Sequence, residues 1–126
     1  MLKLDAPALV QMTSGAGYWY LATAYSKHPA GLDAAHEMAC RAVGALRSLG
    51  VVAFSPIAHW HPVGRLLGIN PLDHDLWMEI DKPMMEGAEG LIVLCSPGWQ
   101  ASRGIAVEID FFRESCLPVY GMPYAG

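Results

Sequence analysis

Charge is scarce in this chain. Only 16% of its 126 residues are charged, and its eight Lys and Arg are outnumbered by twelve Asp and Glu, for a net charge of −4. No basic cluster is present to neutralise a run of phosphates, which argues against a nucleic-acid polymer as ligand. Apolar runs stay well short of the roughly 20 residues that a membrane helix needs, and the N-terminus lacks a basic segment followed by an apolar one. The expectation is a soluble, cytoplasmic protein without membrane association. Cysteine is limited to Cys40, Cys95 and Cys116, widely spaced among apolar neighbours. That pattern suits reduced thiols buried as small hydrophobes, with no disulfide. Two nucleotide signatures are missing as well. There is no GxxxxGK[ST], and the GAG at Gly15 to Gly17 does not extend to GxGxxG after a strand, which argues against ATP hydrolysis and dinucleotide chemistry. Internal repeats and low-complexity tracts are also absent.

What the chain has in quantity is apolar surface. Hydrophobic residues make up 53% and mean hydropathy is +0.27. One compact core fits this length, and it is large enough that some apolar surface is expected to be shared between subunits of a homodimer or homotetramer. Residues 1–16 lack sustained periodicity and read as a loose leader, with the domain spanning residues 17–126. Buried strands are expected at Tyr18 to Ala22, Val51 to Phe54, Gly90 to Leu94 and Leu117 to Tyr120. Helical spacing runs from Leu32 to Leu49, where Gly50 is placed to end the helix, from Asp75 to Ala88, and from Ser102 to Ser115. Ser55 to Leu72, rich in proline and glycine, reads as a long loop. The alternation predicts a single three-layer α/β domain of the Rossmann or flavodoxin kind, with a parallel sheet of four or five strands. Ligands of such sheets sit beyond the carboxyl ends of the strands, here Thr23 to Ser26, Ser55 to His61 and Cys95 to Gly104.

Two carboxylates break the pattern. On a helical wheel of residues 102–115, Arg103, Asp110, Arg113 and Glu114 share a polar arc, whereas Glu108 falls between Phe111 and Phe112. An isolated buried carboxylate costs several kcal/mol, so Glu108 is either a partnered structural residue or a group at the wall of a cleft. Asp81 likewise sits among Trp77, Met84, Met85 and Ala88; its alternative role is the N-cap of a helix beginning at Pro83. Two carboxyls near strand ends suit acid, base or nucleophile chemistry at a sugar, where Glu108 is expected to be held ionised. Ser102 and Gly104 open the third helix, where free N–H groups favour an anion, although Ser102 also suits a simple cap. Six residues of helix advance about 9 Å, so an anion at Ser102 and a reacting carbon at Glu108 fit one small ligand.

At these residues the sequence resembles the nucleoside 2-deoxyribosyltransferase-like superfamily, most closely a small branch of bacterial and phage proteins. The matching pieces are YLATAYS (Tyr20 to Ser26), VVAFSPIAHWHP (Val51 to Pro62), W-x-x-x-D (Trp77 to Asp81), LIVL (Leu91 to Leu94) and PGWQASRGIAVE (Pro97 to Glu108). The resemblance implies that Glu108 is the nucleophile at the anomeric carbon, that Asp81 handles the proton on the base, and that Tyr20 sits beside the nucleophile. Ser102 is similar to the residue found at that position in nucleoside-monophosphate N-glycosidases, where deoxyribosyltransferases carry Asp. A hydroxyl accepts a phosphate that a carboxylate would repel, so the implied substrate is a nucleoside 5'-monophosphate or nucleoside, with hydrolysis favoured over transfer. Substrate contacts are expected from Thr23, Ser26, His59, Trp60, His61, Ser102 and Gly104, with no metal and no cofactor. The loop Ala24, Tyr25, Ser26 departs from the family's glycine-rich or arginine-containing form. The tail Gly121 to Gly126, with Tyr124, is expected to reach a neighbouring subunit.

Two other readings stand beside this one. The same scaffold suits a sensor that binds a nucleotide derivative without cleaving it. His59 and His61, spaced i, i+2, point the same way on an extended segment and are followed by Asp73, His74 and Asp75, which suits a metal-dependent hydrolase. The same histidines equally suit a base pocket in which Trp60 stacks on the ring. Cys95 ends a strand near the expected cleft, yet no sequence neighbour would activate its thiol.

Overall fold

The computed structural model describes residues 1–125. Gly126, the last residue of the expected domain and tail, lies outside the described residues. Five parallel strands form one sheet in the order β1-β5-β4-β2-β3. They are β1 Leu2–Lys3, β2 Trp19–Ala22, β3 Ala53–Phe54, β4 Leu91–Cys95 and β5 Val119–Pro123. The helices are α1 Ala6–Ser14, α2 Leu32–Ser48, α3 Pro56–Leu67, α4 His74–Glu86 and α5 Arg103–Glu114. From β2 onward the order is that of a flavodoxin-like sheet, and β1 adds the last strand from the N-terminal side.

The layers follow from strand alternation. Consecutive side chains of β2 point to opposite faces. Tyr20 meets Phe112 of α5 with ring centroids 5.8 Å apart. Trp19, on the other face, packs edge-on against Tyr120 at 5.7 Å, and the Tyr120 hydroxyl donates to Gln11 of α1 at 3.3 Å. All four residues of β2 and the first four of β4 are buried, as a central parallel strand covered on both sides requires. The α2 stripe buries Ala35, Met38, Ala39, Ala42 and Leu46. That helix ends as its sequence suggests. Gly50 takes φ +84°, its N–H donates to the Arg47 carbonyl, and the Val51 N–H donates to the Leu46 carbonyl, which closes a Schellman turn.

Four expectations are corrected. Residues 1–16 are not a loose leader. Leu2 and Lys3 pair with Tyr120 and Gly121, and α1 begins at an Asp5 cap and buries Ala8 and Met12. A strand of two residues has no periodicity to read, and Pro7 sits in the first turn, where no N–H is needed. The long loop Ser55 to Leu72 is mostly α3. Ser55 caps it by accepting from the Ala58 N–H at 3.1 Å, Pro56 opens it, and Gly68 at φ +67° closes it. The expected tail begins as structure too, since Gly121 to Pro123 complete β5. Finally, the thiols are free, but Cys40 and Cys116 are exposed and only Cys95 is partly buried. Cys116 lies in the αL turn after α5, at φ 57°.

Gly90, just before β4, marks the tightest approach in the core. A Cβ there would lie 2.8 Å from the Pro118 carbonyl oxygen and collide with the Trp19 ring. Gly90→Ala is expected to lower stability by about 1–3 kcal/mol through overpacking. Chemical denaturation checks this, and an unchanged midpoint would contradict the packing described.

A cleft with two buried carboxyls as candidate functional site

In a sheet of this order the connections leaving the ends of β2 and β4 diverge, so a crevice opens between them. A cleft of about 320 Å³ lies there, at the lower end of the ~300–1,000 Å³ usual for small-molecule sites. The loop after β2 supplies Thr23, Tyr25, Ser26 and Lys27. The first turn of α3 contributes Pro56 and Ile57, α4 contributes His74, Trp77, Met78 and Asp81, and the start of α5 contributes Ser102, Arg103, Gly104 and Glu108.

Glu108 belongs to the buried stripe of α5 with Ile105 and Phe112, and Asp81 to that of α4 with Met85. Asp81 is not an N-cap. Asp73 caps α4 by accepting from the Leu76 N–H at 3.2 Å, and Pro83 lies inside the helix. Among the described residues, no cation pairs with either carboxyl. Glu108 is 9% exposed and Asp81 7%. Burial pushes Glu108 up to about 8; the Tyr20 hydroxyl draws it partly back, and the charge of Asp81 adds to the rise. Asp81 is pushed up to about 7 by burial, again opposed by Tyr20. Glu108 is thus not simply held ionised, as the sequence suggests. Desolvation without a counter-charge favours the protonated form, and two neighbouring carboxyls titrate as one unit.

Tyr20 does not itself line the cleft. Its hydroxyl is buried, close to both carboxyls, and has no partner in good hydrogen-bond geometry. Burial, then the charges of Glu108 and Asp81, raise its pKa, so it keeps its proton. Asp81 Oδ1 and the Thr23 hydroxyl are also buried and unpaired. Buried polar groups are usually satisfied, and orphans facing a cleft are the atoms a bound ligand would satisfy. Ser102 caps α5, its hydroxyl accepting from the Ile105 N–H at 3.3 Å. The N–H groups of Arg103 and Gly104 then have no acceptor within the helix. Lys27 and Arg103, both exposed, also line the cleft.

The structure therefore brings Thr23, Ser26, Asp81, Ser102, Gly104 and Glu108 into one cleft, with Tyr20 beneath it. It does not bring His59 and Trp60 there. On a helix, residues i and i+2 point about 200° apart, so the expectation from an extended segment fails. His59 is exposed and lies edge-on to Trp60 at 4.6 Å. His61 turns inward to a separate cavity. No group of three or more His, Cys, Asp and Glu converges among the described residues to hold a metal ion, which leaves the histidine-loop hydrolase without a ligand set. Burial pushes the Cys95 thiol up, away from nucleophilic use. Sequence reasoning missed Trp77 and Met78 as cleft residues, although Trp77 lies one helical turn from Asp81. It also missed Lys27 and Arg103.

Fold and site together define a flavodoxin-like α/β protein with an unpaired carboxyl pair at the switch point of its sheet. The family model described as a domain of unknown function (DUF1937) matches residues 17–123, and the chain belongs to that family. No curated protein matches it. Among the described residues no helix is long and apolar enough to cross a membrane.

The burial of Glu108 has a cost that depends on pH. Between pH about 4.5 and about 8 the folded chain retains a proton that the unfolded chain has released. Stability therefore falls as pH rises across that window. Glu108→Gln is expected to flatten this slope and to raise stability at pH 8.5 by about 2 kcal/mol. Thermal unfolding of both proteins from pH 5 to pH 9 checks it, and parallel curves would show that Glu108 is solvated.

Proposed function

We propose that the protein cleaves the N-glycosidic bond of a nucleoside 5'-monophosphate or nucleoside, by hydrolysis or by transfer of the sugar. The observation that carries this reading is the pair of buried, unpaired carboxyls, Asp81 and Glu108, in one cleft with the open N-terminus of α5. The reaction draws on the less populated form of the singly protonated pair, in which Asp81 holds the proton, and in that form the Glu108 carboxylate attacks the anomeric carbon. An O–C bond forms as the C–N bond breaks, and the base leaves with the bonding electrons and takes a proton from Asp81. Water then loses a proton to Asp81 and attacks the same carbon, which frees Glu108. Positive charge developing on the sugar favours the ionised form of Glu108 at the step that needs it. Tyr20, which keeps its proton, stabilises whichever carboxyl is charged. The N–H groups of Arg103 and Gly104, the Ser102 hydroxyl, Lys27 and Arg103 suit a phosphate at the far end of the ligand. The resemblance of the YLATAYS, W-x-x-x-D and PGWQASRGIAVE pieces to nucleoside 2-deoxyribosyltransferase-like proteins supports the same reading.

One observation favours a second reading, a binding domain that does not cleave its ligand. Burial without a counter-charge keeps Glu108, the expected nucleophile, largely protonated near neutrality. A homodimer or homotetramer is also part of this proposal. Leu66, Leu67 and Leu72, exposed around the end of α3, form its contact surface. Sedimentation as a monomer at micromolar concentration would dismiss that assembly.

Incubation with deoxynucleosides and their 5'-monophosphates is expected to release free base, and Glu108→Ala to reduce release at least 10³-fold, the scale of a lost nucleophile. The reaction needs one proton on the pair. Its kcat/KM profile should therefore be bell-shaped, falling below pH about 7 as Asp81 and Glu108 both become protonated and above about 8 as both ionise. Undiminished turnover in Glu108→Ala would refute the nucleophile. Tight binding without base release would establish the second reading.

A further inference from the structure

A second cavity, of about 220 Å³, adjoins the cleft and shares Tyr25, Pro71 and Trp77 with it as walls. Its polar side is a chain of side chains that the reaction above does not use. His61 of α3 is only 4% exposed. Its Nδ1 lies 2.7 Å from the Tyr25 hydroxyl and its Nε2 lies 2.9 Å from Asp33 Oδ1 at the start of α2. Arg65 donates to the same Asp33 oxygen.

The direction of each hydrogen bond follows from the far end of the chain. The bonds from Arg65 and then His61 hold the Asp33 carboxyl below the usual carboxylate range. Asp33 is therefore ionised and only accepts. Nε2 of His61 must carry the ring proton that it donates to Asp33. With one proton on the ring, Nδ1 is a bare lone pair, and the Tyr25 hydroxyl must donate to it. The phenol proton is thereby committed, and the Tyr25 oxygen presents only acceptor capacity to its surroundings. Planes are fixed as well. His36 stacks on His61 at 4.7 Å, and Trp77 meets Tyr25 edge-on at 5.8 Å.

We propose that this side cavity is a nucleobase subsite that selects an amino-bearing ring, with the Tyr25 oxygen as acceptor for the amino group. Trp77 and Tyr25 offer apolar ring surface for a planar heterocycle, and an oxygen that can only accept discriminates against a ring that lacks a donor there. The subsite rests on the glycosidic reading only in making this ring part of the substrate; capture of a free base does not depend on it.

Free adenine and purine, which differ by the amino group, are the probes. Calorimetric titration of the full chain is expected to give adenine about tenfold tighter than purine, the scale of one net hydrogen bond to a group otherwise left unpaired. In Tyr25→Phe, which keeps the ring, the preference should fall towards unity. Nitrogen-15 spectra of labelled protein should show His61 protonated at Nε2 and bare at Nδ1, a state that Asp33→Ala should lose. Equal affinity for the two bases, binding of neither at millimolar concentration, or a protonated Nδ1 would overturn the subsite. Adenine preference without base release from any nucleotide would remove the reaction and leave the subsite. Base release without amino preference would remove the subsite alone.

Discussion

The interaction on which the site depends is a desolvation left uncompensated. Asp81 and Glu108 are carried into the space over the sheet by the apolar stripes of α4 and α5, and among the described residues no arginine or lysine pairs with either. A buried ion pair would have locked both as fixed charges. Without one, each carboxyl is held near the pH where it exchanges its proton, and folding is made less favourable for the sake of that poise. Tyr20 completes the arrangement. Its ring packs on Phe112 in the core, and its hydroxyl stays protonated beneath two groups that cannot both be charged cheaply.

The position of this pair follows from topology. Strand β2 sits between β3 and β4, so the chain leaves its carboxyl end in one direction and leaves β4 in the other. The backbone thereby opens a crevice at one edge of the sheet without any insertion. Helix α3 and the connection to α4 wall it on the β3 side, and the N-terminus of α5 walls it on the β4 side. Between the main cleft and its neighbour stand Tyr25 and Trp77, the first oriented by His61 and Asp33, the second carried by α4 one turn from Asp81. Under the proposed reaction, a ligand that fills both cavities would have its reacting centre set by the carboxyls and its ring orientation set by the hydrogen-bond chain from Arg65.

Much of this fold is legible from one dimension. Buried parallel strands read as short continuous apolar runs, and β2 and β4 are such runs. Long amphipathic helices read by period, and α2 even announces its end with Gly50. The two carboxyls of the site are legible for the same reason, since a charged residue on an apolar stripe is an exception that periodicity exposes. The pieces that are not legible lack a period. β1 is two residues long and becomes a strand only because β5 offers it an edge. In α3, Pro56, Pro62, Gly64 and Gly68 hide a helix of which only Pro56 and Gly68 serve the ends, and reading it as extended set His59 and His61 on the same side.

The sequence by itself determined the alternation of strands and helices, the parallel sheet and the presence of two misplaced carboxyls, because each is a local pattern of polarity against a fixed repeat. Only the tertiary structure decided their protonation, since a pKa depends on which neighbours arrive from elsewhere in the chain and how much water they exclude. The same holds for the chain from Arg65 through Asp33 and His61 to Tyr25. Its members come from three separate elements, and no spacing along the backbone records that they meet.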